Sequence, residues 1–461
     1  MEQFEQLLGN IKNWIWGPPL LLLLSGTGLY LTFLLKGVQF RYLGYAIKLV
    51  FSKPKSTAEG DISQFEALMT SLAGAIGTGT IVGVATAITV GGLGSMFWMW
   101  ITAFLGMATK YAESLMAVKY RIMDARGEMM GGPMQYIERG LGWKWMAVLF
   151  AIFGAIAAIG TGNLVQVNAI AEAIESVWMV DPWLTGVILA VLTGSVILGG
   201  VKSIGHVAGV LVPLMATFYL VAGMIILCLN LDKLPEAFAL IIESAFTGQA
   251  AAGGFLGASV MMSIQMGVSR SIFSNEAGMG ISSMAAAAAR TDCPGRQAMI
   301  TMTGALMSTV IVCSVTGLVL AVTNVLGQTT ASGKVLSGAT MAIQAFSSVL
   351  SGGAYIVSIG LILFAFSTVI AWGYYGEKCF EYLFGERSVI LYRGLYTLLV
   401  IPGAALKMEV VWHFADIMNG LMVIPNLIAL IALSGVIAAE TRQFKKTIRE
   451  EKAAERALNT G

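Results

Sequence analysis

The sequence predicts an all-α polytopic membrane protein, a bundle of about eleven apolar helices with two of them broken at mid-depth. Three observations carry that expectation. Of 461 residues, 57% are hydrophobic and 12% charged, about half the charged share of an ordinary soluble domain. Apolar stretches of the roughly 20 residues needed to cross a bilayer recur along the whole chain. Two of these stretches, 65–90 and 255–288, carry glycine and polar residues in their middles.

Spans are expected at about 17–36, 65–90, 94–118, 145–177, 183–199, 206–230, 255–288, 297–325, 349–376, 389–407 and 411–438. The first run, from Pro18, lacks a basic leader and is long enough to stay as a span. The second holds Gly74, Gly77, Gly79 and Gly83, with Thr78 and Thr80 between them. Each helical glycine costs up to ~1 kcal/mol relative to alanine, so a continuous helix is poor there. Close packing of small residues is the competing reading. A broken helix frees N–H groups that suit an anion and carbonyls that suit a cation. Transporters build midplane sites in this way. The seventh span is interrupted at Ser274-Asn-Glu-Ala-Gly-Met-Gly280, with Arg270 and Glu276 at membrane depth. Such ionisable groups face a cavity or one another, or act as latches that hold the break open. Two broken spans, five apart, point to a pair of inverted repeats preceded by one extra helix.

The division expected is therefore 1–63 for the extra helix and its loop, 64–230 for the first repeat and 231–254 for an amphipathic loop helix. The second repeat takes 255–438 and the tail 439–461. Of 28 lysines and arginines, 21 fall on the side of the first loop and four on the other, with three in or beside spans. The positive-inside bias then puts the N-terminus outside and the C-terminus in the cytoplasm. The tail from Thr441 reads as a solvated helix end. Trp98 and Trp100 read as interface anchors. Lys110 and Glu113 lie three apart and are expected to pair. Cys228, Cys293, Cys313 and Cys379 form no CxxC and read as buried and inert. With two histidines, a histidine relay or metal site is not expected. Neither HExxH nor GxSxG occurs, and no paired carboxylates face each other, so an enzyme is not expected.

The strings GGLGSMFWMWITAFLG (91–106), GMATKYAE (106–113), GGPMQYIERGLG (131–142), TGNLVQVNAIA (161–171) and GVSRSIFSNEAGMG (267–280) carry a resemblance. With the broken second span they cover most of the chain. It resembles the alanine/glycine:cation symporter family of the amino acid–polyamine–cation superfamily. Ser95 and the run Ile281-Ser-Ser-Met284 depart from the family's usual small residues. The resemblance implies a leucine-transporter-type fold with five-plus-five repeats in the plasma (inner) membrane. It also implies cation-driven uptake of alanine or glycine by alternating access.

On that basis, the N–H groups around Thr78 and Gly79 suit the substrate carboxylate. Gln166 can donate its amide to the same group, or make an interhelical hydrogen bond. Carbonyls near Phe273 and Ser274, with Asn275 beside them, suit the ammonium. Phe364, Ser367, Thr368, Ala371 and Trp372 share one helix face. The Ser367 and Thr368 hydroxyls, with the carbonyls of Ala73, Ile76 and Phe364, would form the fold family's shared Na⁺ site, unless they bond back within their own span. Phe366 and Trp372 would limit side-chain size, or simply pack. Glu276 is the only carboxylate in either break, so Na⁺ is favoured over H⁺. Na⁺ is expected as coupling ion with no other cofactor. The expected partners are a small amino acid and the bilayer, with no nucleic acid or obligate protein partner. An H⁺-coupled symporter and a uniporter or channel are the alternatives.

Overall fold

The computed structural model describes residues 2–52, 58–247, 259–329, 333, 335–406 and 408–460. The expected start of the second broken span and the end of the 231–254 loop lie outside the described residues.

The chain opens with α1 (Glu2–Ile15), α2 (Pro18–Leu34), α3 (Val38–Arg41) and α4 (Leu43–Val50). The first broken span follows as α5 (Gln64–Ala75), a 3-10 turn at Thr78–Thr80 and α6 (Val82–Gly91). A capping box starts α5: Glu66 N–H donates to Ser63 Oγ at 3.1 Å, and Ser63 N–H to Glu66 Oε2 at 2.8 Å. Next come α7 (Gly94–Lys119), a two-stranded hairpin, β1 (Ile122–Met123) with β2 (Met129–Met130), and α8 (Pro133–Leu141). α9 (Lys144–Ala157) runs through a π-helical stretch, Ala158–Leu164, into α10 (Val165–Trp178). α11 (Pro182–Ile197), α12 (Gly200–Leu229) and α13 (Leu234–Thr247) complete the first half.

The second broken span is α14 (Val260–Asn275), a turn, and α15 (Ser283–Ala287). α16 (Pro294–Ala305) passes through a second π-helical stretch, Leu306–Cys313, into α17 (Ser314–Val322). The remaining helices are α18 (Gly338–Ser347), α19 (Gly353–Phe384), α20 (Val389–Gly403), α21 (Met408–Ala432) and α22 (Ser434–Thr460). Proline opens α2, α8, α11 and α16, where its missing N–H has no partner to lose.

Among the described residues, six helical stretches are long and apolar enough to cross a membrane: Gln6–Leu34, Lys144–Trp178, Gly200–Leu229, Pro294–Val322, Gly353–Phe384 and Val411–Ala432. The two broken spans are divided into shorter pieces. They form the centre with α7, α16 and α19, which pack closely around them. α11, α12 and α20 turn apolar side chains outward, including Val187, Val191, Leu214 and Leu398, as a lipid-facing surface requires.

Three local expectations change. Lys110 and Glu113 turn to separate partners, described below. Cys228 is exposed and Cys293 partly so, whereas Cys313 and Cys379 are buried. The tail is not merely solvated: Phe444 and Ile448 are buried, Lys445 Nζ donates to the Leu35 carbonyl at 3.1 Å, and Arg296 pairs with Glu451 at 2.6 Å. The tryptophans tie helices together. Trp98 donates to the Ala245 carbonyl on α13 at 3.2 Å and Trp100 to Ser314 Oγ at 2.7 Å.

Candidate functional site

The first break is shaped by glycines at close approaches. A Cβ on Gly77 would lie 2.5 Å from Thr368 Oγ1, and one on Gly79 2.6 Å from the Phe273 ring. Only glycine lets the backbone come this near to α19 and α14. Thr78 N–H, left without a helical acceptor, donates to Gln166 Oε1 at 3.2 Å. Gln166 Nε2 donates in turn to the Thr161 carbonyl at 3.1 Å. The expected role of Gln166 as a free amide donor is thus altered. Its amide is spent bridging the break to the π-helical stretch.

The second break ends α14 differently. Glu276 adopts the left-handed conformation at φ 58°, and Gly278 and Gly280 follow at φ 90° and 75°. Lys110 Nζ donates to the Asn275 carbonyl at 2.7 Å and lies 3.4 Å from Ser71 Oγ. A cation is favoured at that carbonyl end. Glu113 Oε1 accepts from Gly278 N–H, Gly280 N–H and Asn426 Nδ2 at 2.8–3.0 Å. Lys110 and Glu113, expected to pair, therefore each brace the turn. The buried Glu276 carboxylate closes no hydrogen bond of full geometry on either oxygen, and the Trp372 and Ser282 side chains are its nearest donors.

Between the breaks lies a small pocket of about 10 Å³. Gly74, Gly77, Gly79, Gln166, Phe273, Thr368 and Trp372 line it, joined by Thr161 and Met279. This volume holds about one water molecule, so any amino acid must push its walls apart. The Phe273 carbonyl faces Gly79, 3.4 Å from where its Cβ would stand. The Trp372 indole donates to the Gly74 carbonyl at 3.3 Å.

Three expected contacts fall elsewhere. Ser274 Oγ meets Cys313 Sγ at 3.0 Å and accepts from Thr309 Oγ1. Asn275 Nδ2 donates to Ser271 and Thr309, and its Oδ1 accepts from Ala277 N–H. Both side chains thus stabilise the break against the second π-helical stretch and leave the pocket wall. Phe366 stands two residues past Phe364, about 200° around the helix, and packs outside the pocket. Thr161 and Met279 were not foreseen. The polar run Thr161-Gly-Asn163 inside an apolar span was the available signal for the former; nothing distinguished Met279.

Beside the pocket, Thr368 Oγ1 donates to the Ala73 carbonyl at 2.8 Å and stands 3.1 Å from the Phe364 carbonyl. Ser367 Oγ lies 3.3 Å and 2.8 Å from the same two oxygens. Both hydroxyls thus bond back to Phe364 within their own helix, the alternative expected, and also reach across to Ala73; the two carbonyls and two hydroxyls so gathered are a hard-oxygen set suited to a small cation. Among the described residues neither hydroxyl bonds the Ile76 carbonyl.

On one side, Phe273 and Trp412 cover the pocket with ring centroids 5.6 Å apart. Above them Arg270 reaches Asp416 at 3.9 Å, and a cavity of about 790 Å³ opens beyond. The opposite side is sealed. Arg121 donates to the carbonyls of Ala287, Ala289 and Glu59 at 2.8–2.9 Å. Backbone bridges join Glu59 with Thr291 and Ile62 with Ala289. Nearby, burial alone would raise the Asp124 carboxyl, but hydrogen bonds from Glu128 N–H and Arg126 hold it below its ordinary value.

The fold is that of leucine-transporter-type proteins. The crystal structure of MhsT in complex with L-phenylalanine superposes with a TM-score of 0.57 at 13% identity, covering 84% of this chain and 99% of that one. Sequence relatives are far nearer. A sodium/alanine symporter, AgcS of Methanococcus maripaludis, is 49% identical across 97% of this chain and 99% of its own length. A probable sodium/glutamine symporter, GlnT of Bacillus subtilis, is 36% identical across 96% and 91%. Two helices broken around one small pocket, in a chain whose residues 1–458 match the family model, place this protein in the sodium:alanine symporter family, a family of amino-acid transporters and not of enzymes.

Proposed function

We propose that the protein is a Na⁺-coupled symporter that carries alanine and glycine into the cell by alternating access. The observation that carries this is the double placement of Thr368. Its hydroxyl belongs to the hard-oxygen set with the Ala73 carbonyl, and its side chain also lines the pocket. An ion bound there pulls α5 and α19 together and so sets the pocket wall, which couples ion to substrate. The substrate carboxylate takes the N–H groups at Thr78 and Gly79, displacing Gln166 Oε1 from the former, and the ammonium takes the Phe273 carbonyl. Gln166 holds the break in place until the substrate arrives. Trp372 limits the side chain to hydrogen or methyl.

In this reading the protein sits in the plasma (inner) membrane with its N-terminus outside and its tail in the cytoplasm. Residues 64–230 and 255–438 are the two repeats. The 790 Å³ cavity is then the outer vestibule, and the Arg121 seam closes the inner side. The test is uptake of labelled alanine into proteoliposomes under an inward Na⁺ gradient, with a competition panel of small amino acids. Accumulation that persists with choline in place of Na⁺ refutes the coupling; equilibration without accumulation makes the protein a uniporter.

The buried Glu276 carboxylate, whose oxygens close no hydrogen bond of full geometry, favours one second reading, coupling to H⁺. A pH gradient applied without Na⁺ separates the two: it drives accumulation only in the second.

A further inference from the structure

Residues ahead of the first repeat have no part in the site so far, yet α1 reaches its mouth. α1 packs along α21. The Trp16 indole donates to the Asp416 carbonyl at 2.9 Å. Gly420, one turn beyond Asp416, admits the helix: a Cβ there would lie 2.4 Å from Ile15 Cγ2. The tie to α14 is slighter, Gln265 Nε2 to the Trp16 carbonyl at 3.3 Å. α1 is thus built to move with α21.

One turn before Trp16, Lys12 lines the wide vestibule together with Arg270 and Asp416. The same three residues line a smaller cavity of about 70 Å³ behind it, which borders Phe273. One carboxylate therefore faces two cations held by different helices. Arg270, across the seam on α14, is 3.9 Å away. Lys12 is on the same side of the seam as Asp416.

We propose that α1 is a working part of the outer gate, and that Lys12 holds the Asp416 carboxylate when Arg270 leaves it. This rests on the alternating-access reading above. Opening the gate parts α14 from α21 and withdraws the guanidinium. The Asp416 side chain is only 11% exposed, and a carboxylate left uncompensated in such a place is costly. Lys12 travels with it and keeps it neutralised, which stabilises the open form. The two cations then act with opposite sign. Losing Arg270 favours the open gate and losing Lys12 disfavours it.

The test uses the full chain in intact cells, with Cys228 and Cys293 changed to Ser. Thr161→Cys in the pocket is labelled from outside by an impermeant thiol reagent, in saturating Na⁺ without alanine. Lys12→Gln should slow labelling roughly threefold, the scale of a partly exposed ion pair. It should also raise the alanine concentration for half-maximal uptake. Arg270→Gln should speed labelling, and Lys12→Arg should match the parent. Labelling of Lys12→Gln that is unchanged or faster overturns the proposal, as does a parent that never labels from outside. The labelling reads the gate alone, so the expected signs in a protein without Na⁺-dependent alanine uptake would sink the cargo reading and leave the gate standing.

Discussion

At the scale of single residues, Thr368 and Trp372 decide most. Thr368 Oγ1 reaches two main-chain carbonyls, on α5 and on its own helix, so removing it loosens both the ion set and the pocket wall. Thr368→Ala should raise the Na⁺ concentration for half-maximal uptake by about five- to tenfold, the worth of one hydrogen-bonding ligand, and Thr368→Ser should stay near the parent. An unchanged Na⁺ dependence in the alanine variant would remove it from the ion site. Trp372 is fixed at both ends, by the bond from its ring N–H to the Gly74 carbonyl and by Gly162, where a Cβ would come 2.1 Å from the Trp372 Cβ. Trp372→Ala should let valine and larger side chains compete with alanine in the uptake panel. A competition profile identical to the parent's would mean that the ring packs and does not select.

At the scale of elements, the two breaks are made by different means. The first is opened by glycines that bring α5 and its 3-10 turn against α14 and α19. The second is opened by the left-handed Glu276 and glycines 278 and 280, then held by Lys110 on one end and Glu113 on the other. The halves away from the wide cavity, α5 with its preceding loop and α15 with its following one, are stitched by Arg121. Its three charge-assisted bonds end on main-chain carbonyls of both segments, which no other side chain type spans so well. Arg121→Ala should loosen this seam and shift the protein toward the form open on that side. Ser283→Cys should then react several-fold faster with a reagent supplied to the face that the proposed orientation puts in the cytoplasm. Equal reactivity in both backgrounds would show that the backbone bridges suffice to keep the seam shut.

At the scale of the whole molecule, the C-terminal helix clasps the bundle. α22 folds back so that Phe444 and Ile448 are buried and Glu451 meets Arg296. Truncation after Leu433 should lower the unfolding temperature of the purified protein, since it removes the buried Ile437, Phe444 and Ile448, and each large buried apolar side chain lost costs roughly 2–5 kcal/mol. An unaltered melting curve would make the docked tail dispensable to the fold.

The helical membrane class and the place of both interruptions were legible in the chain. Length and hydropathy fix a span by themselves, and glycine clusters weaken a helix wherever they fall. The residues that line the pocket were half legible. Gly79, Gln166, Phe273, Thr368 and Trp372 do meet there. Ser274 and Asn275 turn away to Cys313 and Thr309, because the rotation of a helix about its axis is set by the neighbours it packs on. The same holds for Lys110 and Glu113, close on one helix yet spent on different ends of a distant turn. Sequence spacing determines which groups a helix can present; only the packed bundle decides which of them find a partner, since a buried polar group goes to whatever donor or acceptor the fold brings within reach.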